Sequence, residues 1–259
     1  MNKKDFTKIA DNNNYIPGIY NYCDSWCERC PFTGRCLNFE IGDNQMNDPD
    51  MRDFNNQKFW DKLSETLDSA IEMIEDEAKE LGIDLKNYDD TYGGLYKVRE
   101  RIVEDNSNLQ FADKYINLVN EWFKNSENDF KLKQDQLLIE GDIDVKEASP
   151  YDDALNITDA IEIIRWYQYQ IFVKIKRALF SATDVEVTLE DGQKPCDGSA
   201  KVALIGIDRS ISAWGKLYNY FDESQDDILD ILLHLSRMRE ILESLFPNAR
   251  DFKRIGFDY

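Results

Sequence analysis

The sequence predicts an all-α protein: an antiparallel bundle of four to five long amphipathic helices, preceded by an N-terminal cysteine-rich metal-binding segment. Three observations carry this. Apolar residues recur at three- and four-residue steps through several long stretches, which places them on one helix face. Strict alternation is confined to Val185, Val187 and Leu189, enough for one short strand and too little for a sheet. Four of the five cysteines fall between residues 23 and 36. The expected division is 1–50 for the cysteine-rich segment and 51–259 for the helical domain.

In chain order, residues 1–42 read as irregular and aromatic, and Asp43 to Asp53, containing Pro49, as a linker or surface loop. A helix is expected from residue 56, with Trp60, Leu63, Leu67, Ile71, Ile74, Ala78 and Leu81 on one face and Gly82 ending it. Leu85 to Gly94 reads as loop. Leu95 to Leu138 is helical, carrying Val98, Ile102, Leu109, Ala112, Ile116, Val119, Phe123 and Phe130, with a plausible break at Asn106–Asn108.

After a loop from Glu140 to Ala148, Ser149 and Pro150 suit an N-cap and a first helical position. That helix carries Ile157, Ile161, Ile164, Gln168, Ile171, Ile175 and Ala178, and ends near Ala182. Thr183 to Gly198 reads as loop. The helix from Ser199 to Phe221 has a large face (Leu204, Ile207, Ile211, Trp214, Tyr218) beside a small one (Ala203, Gly206, Ser210, Ala213). Small residues let helix axes approach closely, so this helix is expected at the centre. Ser224 is expected to cap a last helix that Pro247 stops.

Composition limits the function. Of 259 residues, 31 are Lys or Arg and 51 are Asp or Glu, for a net charge of −20. That balance repels phosphate backbones and anionic membranes, so the expected partner is a protein, with no nucleic acid and no membrane. Arg250, Lys253 and Arg254 form a basic patch expected to pair with neighbouring carboxylates. The apolar share of 42% and aromatic share of 12% argue for a buried core over disorder. No apolar run approaches the roughly 18 residues a membrane helix needs. Lys3 and Lys4 are followed by no apolar segment, so a secretory signal is not expected and the expected location is cytoplasmic.

In that compartment thiols stay reduced, which makes metal the natural reading of the cysteines. Their spacing is C-x3-C-x2-C-x5-C, from Tyr22-Cys23-Asp24-Ser25-Trp26-Cys27 through Cys30-Pro31 to Cys36. If residues 23–30 form helical turns, Cys23, Cys27 and Cys30 share one face. Pro31 then breaks the helix and Thr33-Gly34 turns the chain, so that Cys36 returns as the fourth ligand. Tyr20, Tyr22, Trp26, Phe32 and Phe39 are expected to form an apolar shell. Zinc held structurally by four thiolates is the first expectation, and a [4Fe–4S] cluster on the same sulfurs is the alternative. The run Cys23, Cys27, Cys30 resembles the C-x3-C-x2-C signature of radical S-adenosylmethionine enzymes. The resemblance covers only these eight residues; those enzymes are built on repeated β/α units, a pattern this chain lacks.

The remaining candidates point to structure. Cys196 lies alone in a loop, and His234, the only histidine, is on another helix. A ferritin-like di-iron site requires two Glu-x-x-His motifs, and residue 231, three before His234, is isoleucine. Glu162, Asp208 and His234 lie one per helix, but each has a plainer reading as a surface pair or an edge residue. Gln168 interrupts an isoleucine-rich stripe and is expected to be buried, hydrogen-bonded and register-setting. No phosphate-binding, nucleophile-elbow or zincin motif occurs. The sequence therefore assigns no catalytic residue.

Overall fold

The computed structural model describes residues 14–46, 57–82, 91–143, 150–184 and 187–258. Among them all regular structure is helical and no strand occurs. The described residues belong to two compact units, one within residues 1–95 and 254–259, the other within 96–253. No described helix is long and apolar enough to cross a membrane.

The first unit opens with three single 3-10 turns, Ile19–Tyr22, Cys27–Arg29 and Thr33–Arg35, followed by α1 (Leu37–Met46) and α2 (Gln57–Glu80). The region expected to be irregular thus ends in a helix that reaches into the expected linker; residues 47–53 lie outside the described residues. α2 runs where the periodicity predicts. Gly82, at φ 70°, turns the chain out of it through a Gly82 N–H bond to the Lys79 carbonyl at 3.2 Å. The side chains of Trp60 and Leu63 lie outside the described residues.

α3 (Thr91–Glu104) begins before Leu95 and takes in Gly93 and Gly94, which the sequence placed in a loop; residues 83–90 lie outside the described residues. Its inward residue is also not the expected one. Val103 is buried, whereas Val98 and Ile102 face solvent. Polar anchors at the helix explain the rotation: Arg99 bonds Thr183 Oγ1 at 2.6 Å and Asp184 at 3.0 Å, and Glu104 pairs with Lys176 at 3.1 Å.

Asn106 makes the predicted break, because its Oδ1 accepts the Asn108 N–H at 2.9 Å and caps α4 (Ser107–Asn125). A second break at Ser126 separates α5 (Glu127–Ile143). α6 (Pro150–Ala182) starts at the predicted proline; Ser149 lies outside the described residues. α7 (Pro195–Tyr218) starts four residues before the expected Ser199, again with proline in its first turn. Val187 and Leu189 form no strand: Leu189 closes a turn onto Gln193, with Gly192 at φ 80°; Val185 lies outside the described residues. α8 (Gln225–Leu245) follows Ser224, whose hydroxyl makes no cap bond; it donates instead to Asp129 Oδ2 at 2.6 Å.

The core of the second unit forms where α6 lies along α7, α7 along α8, and α4 against both α6 and α8. The small face of α7 makes this possible. A Cβ on Gly206 would stand 2.8 Å from Tyr167 Cδ1 and 3.0 Å from Ile171 Cγ1, so α6 presses directly on the α7 backbone. Ala203, Ser210 and Ala213 are likewise buried. Trp122 knits the remaining helices through edge-on contacts with Phe130, Trp214 and Phe221 at 4.9–5.8 Å. Gln168 is 1% exposed and its amide donates to the Ile116 carbonyl at 3.1 Å and Asn120 Oδ1 at 2.7 Å, tying α6 to α4. Arg250 bonds Asp208 at 2.6 Å and Glu243 at 2.7 Å, and Arg254 bonds Asp258 at 3.1 Å, so two of the three basic-patch residues pair with carboxylates.

Two outcomes are expected. Gly206→Ala should lower unfolding stability by about 1–3 kcal/mol in urea titrations, because the overpacking exceeds the helix-propensity gain of roughly 1 kcal/mol. Stability equal to the parent would mean that α6 and α7 are not in this contact. Burial holds the His234 pKa below its ordinary 6.5, with Lys114 and Arg237 adding to the effect and the 2.9 Å bond to the Phe111 carbonyl opposing it. The unfolded chain therefore takes up the proton first. The contribution of His234 is complete above pH 6.5 and is lost as pH falls through the lower folded value. Denaturation midpoints measured from pH 7.5 down to 5 should fall less steeply in His234→Gln than in the parent.

Candidate metal centre

The cysteine segment is shaped by tight turns, and its cysteines do not share a helix face. Gly18, at φ 73°, starts the first 3-10 turn. Cys23 is extended, and Ser25 holds a left-handed φ of 58°, rare for a residue with a side chain. The Asp24 carboxylate favours this bend by accepting the Trp26 N–H at 3.3 Å. The expected helix over residues 23–30 is thus replaced by an extended residue, a reversal and the single turn Cys27–Arg29. Ile16 N–H bonds the Arg35 carbonyl at 2.9 Å and closes the segment.

This irregular path nonetheless brings all four predicted ligands together. Cys23, Cys27, Cys30 and Cys36 line one cavity of about 170 Å³. Tyr20, Trp26, Phe32 and Phe39 line it as expected, while Tyr22 is buried elsewhere. Arg29 stacks over Trp26 at 4.2 Å and shields that side. None of the five cysteines is in a disulfide. The Phe32 N–H points at Cys30 Sγ at 3.4 Å, and the Cys23 thiol lies 3.4 Å from the Tyr20 carbonyl. Among the described residues, no three His, Cys, Asp or Glu side chains gather closely enough to hold a single ion.

The electrostatics disfavour a bare thiolate at Cys27 and at Cys30. Burial pushes the Cys27 thiol up from 9.0, and the neighbouring Cys23, Cys30 and Cys36 push it further. Cys30 is raised too, first by burial, against the opposing Phe32 N–H bond. Cys27 and Cys30 therefore resist ionisation unless a positive charge compensates them.

The residues that complete the wall carry no signal in the sequence. Phe257 lines the same cavity and meets Phe32 edge-on at 5.1 Å. Gly256, at φ 78°, lies so close to Ile19 that a Cβ would stand 2.9 Å from Ile19 Cδ1. Arg254 holds this C-terminal turn, bonding Asp258 through Nε and Nη2 at 3.1 Å each. No local periodicity links residues 254–258 to residues more than two hundred positions earlier.

The other candidates do not assemble. Asp208 is engaged by Arg250 and Arg239, and His234 stacks on Phe111 at 3.9 Å while bonding its carbonyl. Glu162 is exposed. Cys196 sits in the first turn of α7, where burial raises its thiol, the reverse of what an activated nucleophile needs. A cavity of about 570 Å³ between α5 and α6 is walled mainly by apolar side chains such as Phe130, Leu137, Ile157 and Phe221 and has no cluster of titratable groups. No protein-family model matches the chain, and neither a curated protein nor a solved structure is similar to it.

Chelator-stripped protein should show the thiol behaviour directly. A raised thiol value favours the folded segment below pH 9.0, and that contribution is lost as pH rises through the folded value. Cys27 and Cys30 should therefore alkylate more slowly than a free thiol near pH 8. Limited proteolysis of residues 14–46 should accelerate above pH 9. Alkylation at the free-thiol rate at pH 8 would contradict the burial described.

Proposed function

We propose that this chain is a helical interaction protein whose segment 1–50 carries one metal centre on Cys23, Cys27, Cys30 and Cys36. The observation that carries the reading is the presence of these four thiols on the wall of one aromatic-lined cavity. With all four ligands supplied by protein, no coordination position is left open for catalysis. In this reading the helices within 96–253 form an antiparallel bundle, since short connections such as Asn219–Ser224 favour antiparallel neighbours. The acidic surface favours a protein partner.

Zinc held structurally by the four thiolates is the first reading, and a [4Fe–4S] cluster on the same sulfurs is the alternative. The four-thiolate donor set, the Phe32 N–H at Cys30 and the aromatic wall all suit such a cluster, which supplies reversible electron storage tuned by burial and hydrogen bonds to sulfur.

Protein purified without oxygen should contain one zinc per chain and no acid-labile sulfide. Changing any one of the four cysteines to Ser should remove or weaken the centre, while Cys196→Ser should keep it. A brown protein with iron and matching acid-labile sulfide that bleaches in air would establish the cluster instead. Absence of both metals would end both readings.

A further inference from the structure

α2 carries an apolar stripe that its own fold leaves open. Leu67 is 56% exposed, Ile71 54%, Ile74 60% and Leu81, just past the helix end, 68%. Their spacing of four, three and seven residues keeps them within one narrow face, where the small Ala78 is shaded from solvent. A face of this kind is costly to leave in water and is the hallmark of a helix that docks.

The charges around the stripe indicate what docks. Asp68 and Glu75 border one edge and Glu77 the other, all exposed. From Ser64 to Glu80 there are seven acidic residues and one lysine, Lys79, which is itself 3.6 Å from Asp76. A second α2 laid on this face would set carboxylates against carboxylates on both flanks, so self-pairing is disfavoured. A helix with leucine-like residues on one face and lysines or arginines beside them would bury the stripe and meet opposite charge on both edges.

We propose that the open face of α2 is a docking surface for a basic amphipathic helix of a partner protein. This rests on the interaction reading above and is independent of which metal the cysteines hold.

The test uses the full chain, purified without oxygen, with metal content measured on the same sample. The probe is a fluorescent peptide of about three heptads with Leu at the seam and Lys elsewhere. The controls are a peptide of the same composition with its leucines scattered and a Leu/Glu peptide. The parent should bind the seam Leu/Lys peptide, more weakly at high salt, and should bind both controls poorly. Ile71→Asp with Ile74→Asp should weaken binding by about tenfold or more. Asp68→Lys with Glu75→Lys and Glu77→Lys, which leaves the stripe intact, should lose the Leu/Lys peptide and gain the Leu/Glu peptide. That exchange of preference cannot arise from misfolding. Equal binding of the scattered peptide, indifference to the stripe substitutions, or no charge exchange would overturn the proposal. So would a dimer in sedimentation velocity that Ile71→Asp converts to monomer, since the occupant would then be a second copy. Peptide binding without metal would remove the cysteine reading and leave this one standing; metal without peptide binding would do the reverse.

Discussion

Tyr167 and Ile171 of α6 rest on bare backbone at Gly206 of α7, and the second unit is arranged around that approach. A closely seated pair presents two broad flanks, and the other helices cover them. α8 lies along α7, and α4 is wedged against α6 and α8. Because interiors are close-packed, such a contact tolerates little change of volume on either side. The polar residues inside serve the same alignment. Gln168 fixes α6 against α4 through the Ile116 carbonyl, and Trp214 Nε1 donates to the Tyr115 hydroxyl at 3.2 Å, joining α7 to α4. Full burial holds the Tyr115 phenol at about 12, so it stays neutral and able to accept that bond.

The cysteine segment is held together differently. It has few buried apolar side chains, chiefly Ile19, Tyr22 and Trp26, and relies on turns, an Asx-type bend and ring contacts. A short segment of that kind has little hydrophobic driving force of its own. A metal centre on the four thiols, of which Cys27 and Cys30 are raised by burial, would supply what the core lacks, because the free energy of binding then becomes free energy of folding. The aromatic wall would add a second effect by limiting the access of water and oxygen to the sulfurs.

The helical fold was legible wherever burial followed local period. The stripes of α6 and α7, the break at Asn106 and the small face of α7 could all be read from the residue pattern alone. Where tertiary contacts overrode local pattern, the reading slipped. α3 is turned by Arg99 and Glu104, so Val103 faces inward in place of Val98 and Ile102. Ser224 spends its hydroxyl on Asp129 and not on its own helix end. At the candidate centre the four cysteines were identified by residue type and spacing, while their path was not. A left-handed Ser25 is one of several conformations open to that stretch, and sequence period does not select it. Gly256 and Phe257 were invisible for a simpler reason: their partners are at the other end of the chain.

That long-range closure has a consequence for biosynthesis. Residues 14–36 leave the ribosome early, but Arg254, Gly256 and Phe257, which complete their wall, emerge only after the whole 96–253 unit has been made. At translation rates of about 5–20 residues per second, the four thiols wait roughly ten seconds or more without their final covering. The part of the wall that Gly256 and Phe257 contribute is therefore the last part of the cavity to be synthesised.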